Sequence, residues 1–140
     1  NGLTGLGGIN DFAPHQLGHE LSGMFNIAHG ASLATVWGHW ARYVFRTKVS
    51  RFARYAQNVW NITEGSDEEK ALAGIEATLR YFKSLGMPTC FSEAPEIGIQ
   101  SDDVLRDLTR RCTFDGARPM GGSGVLDGQD IYKIYQGANM

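Results

Sequence analysis

The sequence is short of several things, and each shortage narrows what the chain can be. No apolar run in its 140 residues approaches the roughly 18 that a membrane-spanning helix requires. The first residues, from Asn1 to Gly8, carry no basic charge and so lack the positive n-region of a secretory signal. There are only two cysteines, Cys90 and Cys112, too few for a disulfide framework or a cysteine-based metal knuckle. Free thiols in a reducing cytoplasm are the expectation. A basic excess is missing as well: the net charge is -2 and the pI about 6.1, which argues against a general nucleic-acid binder. No period-2 alternation survives along the chain, so strands are not expected. The His-Glu-x-x-His motif of zinc proteases is also missing, because Glu20 follows the second histidine of its group and not the first.

What is present is helical punctuation. Asp11 is a plausible N-cap and Pro14 fits a first turn, predicting a helix from about Phe12 to Phe25, its end weakened by Gly23 and Asn26. A second helix is expected from Ala28 or His29, with Leu33, Val36, Trp37, Trp40 and Val44 at buried-stripe spacing. Phe52, Tyr55, Ala56 and Val59 space as a short third helix. Ser66 with Glu69 forms a capping box, opening a helix whose inward face reads as Leu72, Ile75, Leu79 and Phe82 and which stops at Gly86 and Pro88. Residues 89–100 show no period and read as an extended loop. Ser101 opens a fifth helix with Val104, Leu105, Leu108 and Cys112 inward. Asp127 opens a sixth, with Asp130 three residues on and Ile131, Ile134, Tyr135 and Ala138 buried. The fold class is therefore all-α, a bundle of about six helices in one domain spanning residues 1–140. The Gly-rich, uncharged start resembles a mid-chain loop, so the domain is expected to belong to a longer protein.

The chemistry concentrates near the N-terminus. His15, His19 and His29 are three of the four histidines, in the pattern His-x3-His-x9-His. On a helix His15 and His19 are i and i+4 and share a face, and His29 follows after a helix break. Neutral imidazole is the commonest side-chain metal ligand, and three such nitrogens would leave a position open for substrate or water. Asp11, four residues before His15, offers a rival ligand set. The spacing alone leaves several functions open. One is a stand-alone metal hydrolase built on Asp11, His15 and His29. Another is a non-catalytic helical interaction or nucleic-acid-binding module with a structural histidine site, in which the basic segment Arg42, Arg46, Lys48, Arg51 and Arg54 docks a partner. His39 falls off the buried stripe and reads as a surface or interface residue without chemistry. The Gly121–Gly124 loop is a poor phosphate cradle because no strand precedes it.

The run from Gly7 to Ser22 (GGINDFAPHQLGHELS), followed by Asn26-Ile27-Ala28-His29-Gly30, resembles the C-terminal part of the iron-containing (group III) alcohol dehydrogenases, in their NADPH-dependent butanol dehydrogenase branch. Gly86-Met87-Pro88 and Gly98-Ile99 match more loosely. The resemblance covers essentially the whole chain, but about the last third of a full-length member. It implies a helical C-terminal domain of the dehydroquinate synthase-like fold, closing a cleft against an N-terminal α/β domain that binds the dinucleotide, in a cytoplasmic and homodimeric parent enzyme. It further implies that His15 and His29 are two of four ligands to Fe²⁺ or Zn²⁺, the other two lying upstream. His19 matches the histidine near the nicotinamide of NADP (or NAD), with a proton-relay or cofactor-positioning role. Small alcohols or aldehydes are the implied substrates. Leu6, Phe12 and Phe25 could line an apolar pocket for them, or could be core residues. The fragment alone is expected to be inactive.

Overall fold

The computed structural model describes residues 10–122 and 124–140. Among them lie six α-helices: α1 (Ala13–Phe25), α2 (His29–Val44), α3 (Val49–Trp60), α4 (Asp67–Ser84), α5 (Asp102–Cys112) and α6 (Gly128–Ala138). Short 3-10 turns follow α2 at Phe45–Lys48 and interrupt the α4–α5 connection at Phe91–Glu93. The described residues contain no β-strand, only one isolated antiparallel bridge between Met120 and Leu126. The all-α expectation holds.

Helix α2 is the axle. It packs against α1, α4 and α6, and its buried positions run almost round its circumference: Ser32, Ala34, Thr35, Val36, Gly38, Trp40, Ala41 and Val44. Small residues make this possible. A Cβ on Gly38 would sit 2.6 Å from Leu79 Cδ2 of α4, so the Leu79 side chain packs directly over the bare backbone at that position. The larger hydrophobic residues of the expected stripe do less than their spacing suggested: Leu33 and Trp37 are only half-buried.

The helix starts are set locally. Ser66 Oγ accepts from the Glu69 amide while the Glu69 carboxylate accepts from the Ser66 amide at 2.8 Å, the reciprocal box expected before α4. Asp127 and Asp130 form the same box before α6. At α1, Asp11 lies one residue outside the cap position, which Phe12 occupies, yet its Oδ1 accepts from the Ala13 amide at 3.0 Å, and Pro14 sits in the first turn.

The inward face of α4 and the segment 89–100 differ from the expectation, and α3 packs through small residues. Leu72 is 37% exposed, because α4 turns Ala71, Gly74, Ile75 and Thr78 inward and leaves Leu72 at the margin. Val59 is exposed, and α3 buries the small Ala53 and Ala56 where it packs closely on α4. Residues 89–100 are more than an extended loop: Phe91, Ala94 and Ile97 are buried in the main core, and Cys90 is buried as well. The α5 and α6 faces match, with Leu105, Leu108, Cys112, Ile131, Ile134, Tyr135 and Ala138 buried and Val104 half-buried. Cys90 and Cys112 are free and buried, and burial pushes the Cys112 thiol up to about 12.

Tyr135 links the end of the chain to its start. Its ring is fully buried against Phe91, and its hydroxyl donates to the Leu17 carbonyl of α1 at 2.9 Å. Replacing Tyr135 with Phe is expected to lower unfolding free energy by about 1 kcal/mol, read from chemical denaturation. Ser66→Ala is expected to lower it by about 1 kcal/mol through loss of the cap, with no change in the denaturant m-value.

A histidine cluster on the exposed face of α1 and α2

The core fixes where the histidines point. On α1, Ala13, Leu17 and Leu21 are fully buried. Helical periodicity then sends His15 and His19 to the opposite, exposed side. Asn26, in a left-handed conformation (φ 54°), ends α1, and the buried Ile27 pins the connection to the core. The chain reverses, and His29 emerges exposed as the first residue of α2.

This brings the three rings together. Ring centres are 5.6 Å apart for His15 and His29, 5.0 Å for His19 and His29, and 6.3 Å for His15 and His19. Phe12, 53% exposed, stands edge-on to His15 at 5.8 Å. The sequence spacing therefore identified a real spatial cluster, on a surface and not in a core.

Two of the three ring separations match that of a pair of imidazoles on one metal ion, and no complete ligand set is assembled among the described residues. Two imidazole nitrogens bound to a tetrahedral ion at about 2.0–2.1 Å place their ring centres about 5 Å apart. The observed His15–His29 and His19–His29 separations lie close to that. Among the described residues, no three His, Cys, Asp or Glu side chains are arranged to hold an ion between them. The sets Asp11/His15/His19, Asp11/His15/His29 and His15/His19/His29 are therefore not assembled as three-ligand sites.

The other candidate residues scatter. Phe25 is half-buried and packs against the core, and Leu6 lies outside the described residues. The basic segment is partly neutralised by α4: Arg42 pairs with Glu76 and Arg46 with Glu68. It is accordingly a weaker cationic face than the sequence suggested. His39 is half-buried between α2 and the Thr89 strap, where its Nε2 lies 3.2 Å from the Thr89 carbonyl as a ring N–H donor. It lies on a different face from the cluster, lining a cleft with Arg42, Glu76, Arg80, Lys83 and Glu93.

The residues that sequence reasoning missed lie beneath the cluster. Ser22 donates from Oγ to Ser32 Oγ at 3.0 Å, and Ser32 Oγ donates to the His29 carbonyl at 2.8 Å. Ser32 is fully buried. A Cβ on Gly18 would meet Leu33 Cδ2 and Ser32 Oγ, each at 3.0 Å. The signal available in the sequence was Gly18 and Ser22, four apart on the flank of α1 beside the two histidines.

The structure thus defines an all-α domain that exposes a cluster of three imidazoles from two adjoining helices. The family profile described as "Fe-containing alcohol dehydrogenase family, C-terminal" matches residues 3–136, and the chain belongs to that family. It is 45% identical over 108 residues to the NADPH-dependent aldehyde reductase YqhD of Escherichia coli, covering 77% of this chain and 28% of that protein. It is 31% identical over 138 residues to the NADH-dependent butanol dehydrogenase A of Clostridium acetobutylicum, covering 97% of this chain and 34% of that protein. Among solved structures, the NADH-dependent butanol dehydrogenase A of Thermotoga maritima superposes with a TM-score of 0.82 at 28% identity, over 94% of this chain and 33% of that one. The chain thus spans about a third of the length of the relatives it matches.

His39 generates a pH prediction. Burial lowers its pKa below the ordinary 6.5, outweighing the bond to Thr89, and nearby Arg42 lowers it further. Below pH 6.5 the unfolded chain binds this proton more readily than the folded one. His39 therefore contributes stability that is fully present above about pH 6.5 and is lost as the pH falls from there through the folded value. Denaturation curves between pH 7.5 and pH 5 for wild type and His39→Gln are expected to show the shallower decline in the variant.

Proposed function

We propose that this chain is the C-terminal helical domain of a divalent-metal- and NAD(P)-dependent alcohol dehydrogenase or aldehyde reductase. In this reading a preceding α/β domain binds the dinucleotide, and the active site lies between the two. The observation that carries it is the exposed cluster of His15, His19 and His29 in a chain of this family. Imidazoles held outward by a rigid core, with two-ligand geometry and no third partner among the described residues, suit a site completed by another part of the protein.

His15 and His29 would hold the ion, from the first turns of α1 and α2. Fe²⁺ or Zn²⁺ bound there would supply Lewis-acid charge to the alcohol or aldehyde oxygen, and the nicotinamide the hydride chemistry. His19, one turn beyond His15, holds or moves the proton of the substrate oxygen and orients the nicotinamide, as an exposed imidazole with one donor and one acceptor nitrogen can. Phe12, exposed beside His15, supplies apolar wall to the substrate, with Leu6 and Phe25 as further candidates. NADP is favoured over NAD because the relative with 45% identity is NADPH-dependent by name, whereas the butanol dehydrogenase at 31% is NADH-dependent. No helix among the described residues is long and apolar enough to cross a membrane.

In the full-length enzyme, His15→Ala is expected to abolish metal retention and turnover together, measured by metal analysis and by NADPH absorbance with butanal. Tight metal in that variant would remove His15 from the ligand set. His19→Ala is expected to keep its metal and to lose about 10²–10⁴-fold in turnover. The 140-residue chain alone, mixed with butanal, NADPH and Zn²⁺ or Fe²⁺, is expected to show no turnover.

A further inference from the structure

We infer that Gly18, Ser22 and Ser32 are positioning residues for the metal half-site, setting the separation of His15 and His19 from His29 through the close crossing of α1 and α2. The inference rests on the ligand assignment proposed above.

The three residues lie where the two histidine-bearing helices approach closely. On α1, Gly18 is buried and Ser22 half-buried. By helical periodicity both lie between the buried Leu17 and Leu21 and the exposed His15 and His19. On α2, Ser32 lies one turn after His29. Its hydroxyl is tied in both directions, accepting from Ser22 and donating to the carbonyl of His29 itself. One short chain of hydrogen bonds thus runs from the α1 turn after His19 to the backbone of His29.

Gly18 sets how near the helices come. The Cβ that it lacks would lie 3.0 Å from Ser32 Oγ, 3.0 Å from Leu33 Cδ2 and 3.3 Å from the Leu33 amide nitrogen. The first two contacts are side chains, but the third is backbone of α2's second turn and yields only if the helix moves. Any side chain at position 18 therefore separates the helices or displaces the serine clasp. His15 and His19 lie three before and one after Gly18, and His29 three and four before the residues it touches. A shift at this crossing passes directly to the imidazole separations, and ligand geometry tolerates little such shift before affinity falls.

The test uses the full-length enzyme stripped of metal and titrated with Co²⁺, read by its visible d–d bands and by dissociation constant, alongside Tm. Gly38→Ala serves as the structural control: it too crowds a tight contact, α2 against the Leu79 side chain of α4, but away from the cluster of His15, His19 and His29. Gly18→Ala is expected to weaken Co²⁺ binding about 10-fold or more and to alter the d–d spectrum, whereas Gly38→Ala lowers Tm with Co²⁺ affinity within about two-fold of wild type. Ser22→Ala, a gentler change at a half-buried site, is expected to weaken Co²⁺ binding at little cost in Tm, and Ser22→Thr, which keeps the hydroxyl, to restore it. Equal effects of Gly18→Ala and Gly38→Ala on Co²⁺ affinity at matched loss of Tm, or no effect of Ser22→Ala, would overturn the inference and leave the ligand assignment standing. Unchanged Co²⁺ binding in His15→Ala would instead overturn the assignment, and the inference with it.

Discussion

Helix α2 is buried on nearly all sides, and the rest of the structure follows from satisfying that requirement. A helix surrounded by α1, α4 and α6 must present small or apolar residues in every direction, and Ser32, Ala34, Thr35, Gly38 and Ala41 let its neighbours approach closely. Its hydroxyls are satisfied internally: Thr35 Oγ1 donates to the Ala31 carbonyl and Ser32 Oγ to that of His29, so neither polar group is buried without a partner. Helix α2 is exposed to water only near its ends, at His29 and Gly30 in the first turn and at Arg42 and Tyr43 in the last. The core thus determines by exclusion where a functional surface can form.

That surface is a product of packing as much as of composition. Leu17 and Leu21 hold α1 in one rotation about its axis, each contributing roughly 1.5–3 kcal/mol by burial. Rotating α1 to bury His15 and His19 would expose both leucines. Tyr135, donating to the Leu17 carbonyl from the far end of the chain, adds a second restraint on the same helix. The imidazole cluster is therefore held by a rigid scaffold, as a site that must present nitrogens at fixed separations requires.

Much of this was legible in the sequence, for definite reasons. Capping boxes are local chemistry, so Ser66 with Glu69 and Asp127 with Asp130 could be read without any tertiary knowledge. The apolar face of α6 is likewise a simple period, and all four of its expected residues are buried. The histidine cluster was legible because i,i+4 spacing and a helix break are enough to bring three rings to one side. Contacts made by small residues were not legible. Hydrophobic periodicity gives little weight to Gly, Ala or Ser, so the close α3–α4 and α1–α2 crossings went unread, and Leu72 was placed inward. The buried run from Cys90 to Ile97 went unread because an irregular segment has no period to detect. For the site, spacing could show that three histidines converge; that the cluster is exposed and lacks a third metal partner among the described residues depends on tertiary packing.

The central claim is that this domain contributes half of a metal shell, through His15 and His29, with His19 held outside it. Anomalous diffraction from crystals of the full-length enzyme loaded with Zn²⁺ tests it most directly. The account predicts a single metal peak bonded to His15 and His29 at about 2.0–2.1 Å, with its remaining protein ligands from outside these 140 residues. A peak bonded to His19 in place of either, or a peak away from the cluster, would contradict it.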